Sequence, residues 1–289
     1  MRIELAGSLI RPDPLVLRFD ANATFDTLKY IDMEYTHFEV ICIGGGGGAG
    51  GGIDTANTGT QIRSFGGAGG GGGFHRVRGL LSALPDTCPV VVGGGGALGT
   101  EHASNPALTT NGGDGGASTF NTNTCRASGG EGGKRVQSNS VTVSTQANGG
   151  VGGSGNRIVV GGGAAGGVAG TPSATGPGTL GTAGADGTLI NNNGKGGGGG
   201  AGGVGKYGGV ACNAATAGGR GAYNPGDTSV YGPGAAPGNG PVTGAPNVVP
   251  GGASGAKASP LNGLPTVYGQ SRGGMAGTPG VVIVRLTVE

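Results

Sequence analysis

The 289-residue chain has no tryptophan, 4% aromatic residues and 11% charged residues. With so few large side chains, a core of Leu, Ile and Phe extending over the whole length is excluded. Long hydrophobic runs are missing as well. The longest glycine-free apolar stretches, such as Val281-Val282-Ile283-Val284, are a few residues long, against the roughly 20 needed to span a bilayer. No membrane span is expected. The N-terminal residues carry Glu4, Arg11 and Asp13 ahead of any long apolar stretch, which does not read as a secretory signal and implies synthesis in a cytoplasm.

Charge imbalance is missing too: 17 basic against 15 acidic residues leave a net charge of +2. No nucleic-acid partner is expected. The four cysteines, Cys42, Cys88, Cys125 and Cys212, form no C-x-x-C pair and have no partnering His-x-x-x-His, so no zinc site is expected. They read as free, partly buried thiols, with a disulfide open to a protein that matures outside the cell.

Glycine is what the chain has, at 76 residues. Such density without a period usually means disorder, because glycine loses more backbone freedom on ordering than any other residue. Disordered chains, however, stay expanded through charge, and this one has little of either sign, so it should pack or aggregate. Collagen is excluded because no Gly-X-Y register persists and proline is limited to 16 residues.

The composition is uneven. Glu4, Asp13, Asp20, Asp26, Asp32, Glu34 and Glu39 lie in the first 40 positions with Phe19, Phe25, Tyr30, Tyr35 and Phe38, whereas only Asp186, Asp227 and Glu289 are acidic from residue 140 onward. Strand signals occur at Leu15 to Phe19 and at Phe38 to Ile43, where Phe38, Val40 and Cys42 share a face. Val281 to Val288 puts Val282, Val284, Leu286 and Val288 on one face, with Arg285 and Thr287 opposite. Those two strong strands bracket the chain, so one sheet should close its ends and leave the glycine-rich middle as an excursion. Lesser strands are expected at Pro89 to Val92, Val141 to Val143 and Arg157 to Val160. The implied division is an N-terminal β segment and docking region at 1–43, a glycine-rich body at 44–278 and a closing strand at 279–289.

Glycine runs at 44–48, 69–73, 93–96 and 196–200 suit neither an α-helix nor a pleated sheet. They suit the extended left-handed threefold helix, which rises about 3.1 Å per residue and has no internal hydrogen bonds. Its N–H and C=O groups must find partners outside the run, and neighbouring runs can supply them where no Cβ holds the backbones apart. The expected fold is mainly β and irregular, with little or no α-helix. A small sandwich-like β-framework closes a core of packed polyglycine II-type helices.

Motifs for chemistry are weak. Gly44 to Gly50 formally satisfies G-x-G-x-x-G, but residues 49–60 have no helical periodicity, so no nucleotide site follows. His37, His75 and His102 share no spacing with a nucleophile or carboxylate. In Phe74-His75-Arg76-Val77-Arg78 the arginine pair could contact phosphate, although a solvated strand edge is the plainer reading. No nucleophile elbow and no paired carboxylates appear in the body. No catalytic, cofactor-binding or metal residues are expected, and the chain does not read as an enzyme. Asn- and Thr-rich loops at 103–111 and 191–194 are candidates for surface contact.

The order of elements resembles the glycine-rich domain family of bacteriophage tail and virion structural proteins. A strand runs into glycine at Phe38 to Gly47, and a second burst, Phe65 to Gly73, leads into Phe74 to Arg78. Pro89 to Gly96 follows, then Gly112-Gly113-Asp114-Gly115-Gly116-Ala117-Ser118-Thr119-Phe120, and finally Gly277-Thr278-Pro279-Gly280-Val281-Val282-Ile283-Val284-Arg285. The similarity runs from about residue 36 to the C-terminus. The first 35 residues depart from the pattern, as does the missing tryptophan near the first strand. The resemblance implies a minor tail or tail-tip component of a virion, docked to other virion proteins and contributing to host attachment through a surface receptor, with a homo-oligomer as a further expectation. Alternatives are a capsid decoration or fibre protein and a cellular glycine-rich surface protein.

Overall fold

The computed structural model describes residues 12–51, 67–100, 109–135 and 276–289, with short strand pieces at 53–54, 62–64, 160–161, 206–207, 222–223 and 230–231. The fold is mainly β, with two principal antiparallel sheets and almost no helix. Alternating apolar residues produce β1 (Leu15–Phe19), β3 (His37–Ile43), β6 (Phe74–Leu80) and β14 (Val281–Thr287). With the two-residue β10 (Val160–Gly161) they form a five-stranded sheet in the order β1-β14-β3-β6-β10. The second sheet has the order β2-β7-β8-β9, from Ala23–Asp26, Thr87–Val91, Ser118–Phe120 and Cys125–Ala127. Short pieces β4 (Ile53–Asp54), β5 (Ile62–Ser64) and β11 (Lys206–Tyr207) pair with one another, as do β12 (Ala222–Tyr223) and β13 (Val230–Tyr231).

The ends of the chain close in one sheet, as the two strong strands predict. β14 lies antiparallel between β1 and β3, with Ile43 opposite Val281 and His37 opposite Thr287. Period-two alternation sends Phe38, Val40, Cys42, Val282, Val284 and Leu286 to one face. There they join Phe25, Cys88, Val90, Phe120, Cys125 and Ala127 of the second sheet in the main hydrophobic cluster. Full burial of each large member contributes about 1.5–3 kcal/mol. The Phe25 ring stacks on Tyr30 at 4.9 Å and meets Phe120 edge-on at 5.5 Å. The opposite face of the five-stranded sheet buries Ile41, Ile43, Phe74, Val281 and Ile283.

Residues 15–43 are thus divided between both sheets. They also form the one α-helix among the described residues, α1 (Thr27–Asp32), which Asp26 caps by accepting from Lys29 N at 3.1 Å. The β8–β9 hairpin turns through Asn121 and Thr122, both at positive φ (46° and 54°), and the Asn121 side-chain amide donates to Thr124 Oγ1 at 3.0 Å to hold it.

Each of six described glycine-rich runs continues a strand: 44–51 leaves β3, 93–100 leaves β7 and 128–135 leaves β9, while 67–73 enters β6, 109–117 enters β8 and 276–280 enters β14. Main-chain hydrogen bonds join them with a period of three. Gly44, Gly47 and Gly50 donate to the carbonyls of Gly73, Gly70 and Gly67 at 3.0, 2.8 and 2.9 Å. Gly45, Gly48 and Gly51 donate to Gly116, Gly113 and Thr110, each at 2.9 Å, and Gly46 donates to Thr278. In return the carbonyls of Gly46 and Ala49 accept from Gly96 and Gly99, and those of Gly45 and Gly48 accept from Gly130 and Gly133. Run 44–51 therefore bonds to five neighbours. Runs leaving the strands lie parallel to it and entering runs lie antiparallel.

A Cβ has no room at most of these positions. At Gly44, Gly47 and Gly50 it would strike the carbonyls of Ser128, Glu131 and Lys134, and at Gly45, Gly48 and Gly51 those of Gly94, Ala97 and Thr100. Side chains fall where the three-residue period turns them outward: exposed Glu131 and Lys134 alternate with Gly-Gly pairs, as do Asn111 and Asp114. Ala49, Ala68 and Thr109 are the side chains buried within the runs.

Several expectations need correction or fall elsewhere. Thr109, read as part of a polar surface loop, is 1% exposed, and its carbonyl accepts from Arg135 Nη1 at 2.9 Å. The run at 196–200, the strand at 141–143 and the loops at 103–108 and 191–194 lie outside the described residues; of the strand at 157–160, Val160 is described, in β10.

Gly94 has no atom within 4 Å of a built Cβ, whereas Gly48 faces backbone. Gly48→Ala should therefore lower stability by roughly 3 kcal/mol, and Gly94→Ala should change it by less than about 1 kcal/mol. Urea unfolding of the two variants checks this, and equal midpoints would contradict the close-approach account.

Candidate functional site

Pairing places Val16, Arg285, Glu39 and Arg78 side by side across four strands, on the face opposite the main cluster. Arg76 stands one position further along the same face of β6. Glu39 sits mid-strand with its side chain 11% exposed, and a carboxylate so placed requires partners. Oε1 accepts from Arg76 Nε and, at 2.8 Å, from Arg78 Nε, while Arg285 Nη1 lies 3.5 Å from Oε2. Arg76 is nearly as buried as Glu39, whereas Arg78 is 69% exposed. Arg285 Nε is buried with no hydrogen-bond partner among the described residues.

A groove of about 570 Å³ opens over this row, lined among others by Pro14, Val16, His37, Arg78, Arg285 and Glu289. His37 Nε2 lies 3.8 Å from Glu289 Oε2, and its Nδ1 is 2.9 Å from Thr36 Oγ1. Burial alone would raise the Glu39 pKa. The hydrogen bonds and charges of Arg78 and Arg76 outweigh it and hold the carboxyl below its ordinary value. An ionised Glu39 is no general acid near neutral pH. Of the groove's lining residues, Arg78 and Arg285 stand against Glu39 and Glu289, so charges of both signs face it.

The arginine pair flagged in the sequence points at Glu39; Arg78 is solvated, on the part of β6 that β10 does not reach, whereas Arg76 is largely buried. His75 is 1% exposed, because alternation along β6 turns it with Val77 toward the main cluster. Its Nδ1 accepts from Arg126 N at 3.1 Å, so the ring proton sits on Nε2. The described cysteines, Cys42, Cys88 and Cys125, are fully buried rather than partly so. Burial pushes the Cys42 thiol well up. For Cys125 burial also acts upward, but hydrogen bonds from Cys42 and the His75 ring prevail and lower it.

The G-x-G-x-x-G stretch lies extended, and its N–H groups at 44–48 and 50 donate to neighbouring runs instead of converging on a phosphate. His102 and Cys212 lie outside the described residues. Among the described residues no group of three or more His, Cys, Asp or Glu side chains could hold a metal ion, and no helix is long and apolar enough to cross a membrane. The sequence reading missed the Glu39 cluster because 246 positions separate Glu39 from Arg285, and only strand register brings them together.

A family model described as a glycine-rich domain matches residues 23–287. No curated protein matches the chain.

Because the Glu39 pKa is lower folded than unfolded, its stabilising contribution is complete above the ordinary value of 4.5 and is lost as pH falls through the folded value. Glu39→Gln should cost roughly 3 kcal/mol at pH 7 and should flatten the acid limb of a Tm-against-pH curve. Parallel acid limbs for the variant and the unaltered chain would show that Glu39 is not the group responsible.

Proposed function

The chain belongs to the glycine-rich domain family, and from that premise we propose that it is a non-enzymatic structural protein of a bacteriophage virion, a minor tail or tail-tip component. The order of strands and glycine bursts supports the reading, since it resembles that of virion structural proteins. The interior carries it furthest. A body joined by main-chain hydrogen bonds between six described runs suits a durable, stoichiometric part exposed on a particle.

On this reading the runs are polyglycine II-type helices, supported by their period-three bonding, and the two sheets pack sandwich-like over the shared cluster. The N-terminal segment docks to other virion proteins and the glycine-rich body faces outward, contributing to host attachment. Support for the docking end is the exposed apolar residues of α1 and its C-cap, Leu28, Ile31 and Met33, which are 49, 38 and 46% exposed.

Purified particles of the phage that encodes this chain should contain it at fixed stoichiometry by quantitative mass spectrometry. Leu28→Asp with Met33→Asp, both at exposed positions, should leave the chain folded yet reduce its incorporation at least about tenfold. Absence of the unaltered chain from particles would refute the virion role. Normal incorporation of a folded double variant would refute docking through α1.

A further inference from the structure

Two thiols from different sheets meet in the main cluster. Cys42 lies on β3 of the five-stranded sheet and Cys125 on β9 of the four-stranded one, 83 positions apart in sequence and both fully buried. Cys42 Sγ is 3.5 Å from the Cys125 carbonyl oxygen, and Cys125 Sγ is 3.9 Å from that of Val40, two residues before Cys42. Each sulfur therefore lies against the strand that carries the other, and Cys125 Sγ is also 3.4 Å from the His75 carbonyl. Cys88 belongs to the same cluster but turns away, its sulfur 3.8 Å from both Thr27 Oγ1 and the Pro85 carbonyl.

Two thiols each lying within 4 Å of the other's strand can come together by side-chain rotation toward the roughly 2 Å of a covalent bond. We propose that Cys42 and Cys125 form a cross-link site, at which a small-molecule disulfide such as oxidised glutathione converts the two thiols into one bond tying the two sheets together. The Cys125 thiolate attacks the glutathione disulfide and expels one glutathione thiolate. The Cys42 thiolate then attacks the mixed disulfide and expels the second, so the two protein thiols are oxidised, one glutathione disulfide is reduced, and the two protons end on the two glutathione thiols. Cys125, carried on the short β8–β9 hairpin, is the thiol that opening of that hairpin exposes first and so acts as the first nucleophile.

Burial blocks exchange in the closed fold, so the reagent gains access while β9 is undocked, during folding or local opening of the β8–β9 hairpin, whose strands are three residues each. In a reducing cytoplasm the pair stays as thiols, and in an oxidising medium it closes. This inference does not rest on the virion reading.

The test is to refold the purified chain with oxidised glutathione, block remaining thiols after denaturation and map the peptides. A peptide pair joined through Cys42 and Cys125 is expected, with Cys88 alkylated. The oxidised chain should melt roughly 10 °C higher than the reduced one. That rise should vanish in Cys125→Ala and persist in Cys88→Ala. Should Cys125→Ala fail to fold, the peptide map of the unaltered chain decides alone. Cys42 and Cys125 both recovered alkylated, or each joined to another cysteine, would overturn the proposal.

Discussion

The absence of a Cβ where two backbones meet is the constraint on which this fold depends. Run 44–51 sits among five neighbours because glycine lets carbonyls approach its Cα at Gly44, Gly45, Gly47, Gly48 and Gly50. Each close approach also brings an N–H within 2.8–3.0 Å of a carbonyl. An extended run has no internal hydrogen bonds, so its polar groups are either satisfied across runs or left costly and unpaired. Mutual bonding of the runs compensates for the large entropy that glycine loses on ordering. It takes the place of side-chain packing that a chain without tryptophan cannot supply.

The sheets make that bonding attainable. Every described run continues a strand, so β-pairing fixes the direction and starting position of each one. β3 delivers 44–51 outward, β6 and β14 receive 67–73 and 276–280, and the second sheet does the same with its three runs. The main cluster, with Phe25, Phe120, Val40 and Leu286 buried, joins the two sets of strands. A one-residue slip of β3 would put Glu39 into that cluster, and one of β14 would put Arg285 there. The buried charge cluster on the far face thus acts against register errors, and removing Glu39 would leave three guanidiniums facing one another.

Much of this was legible in the sequence. Alternation in Phe38 to Ile43 and Val281 to Val288 gave both strands, their core faces and their presence in one sheet. The six-residue helix was missed although Asp26 ahead of Leu28 and Ile31 is an N-cap signal; its shortness hides the period. The X-Gly-Gly triplets Asn111 to Gly116 and Ser128 to Gly133 also carried information that a search for chain-long collagen register passes over, since they mark one outward side in three. His75 is buried although Arg76 and Arg78 flank it on a wet part of the strand, because strict alternation with Val77 points it inward. The Glu39 cluster and the meeting of Cys42 with Cys125 depend on long-range register, which local patterns do not encode.

Amide hydrogen exchange at the glycines of run 44–51 tests the central claim most directly. If main-chain bonding between runs holds the body together, Gly45, Gly47 and Gly48 should exchange as slowly as Val40 and Ile41 in β3, with protection of several orders of magnitude over an unstructured peptide. Exchange of those glycines at the unprotected rate, with β3 still protected, would show that the sheets stand without the bonded runs and would contradict the account.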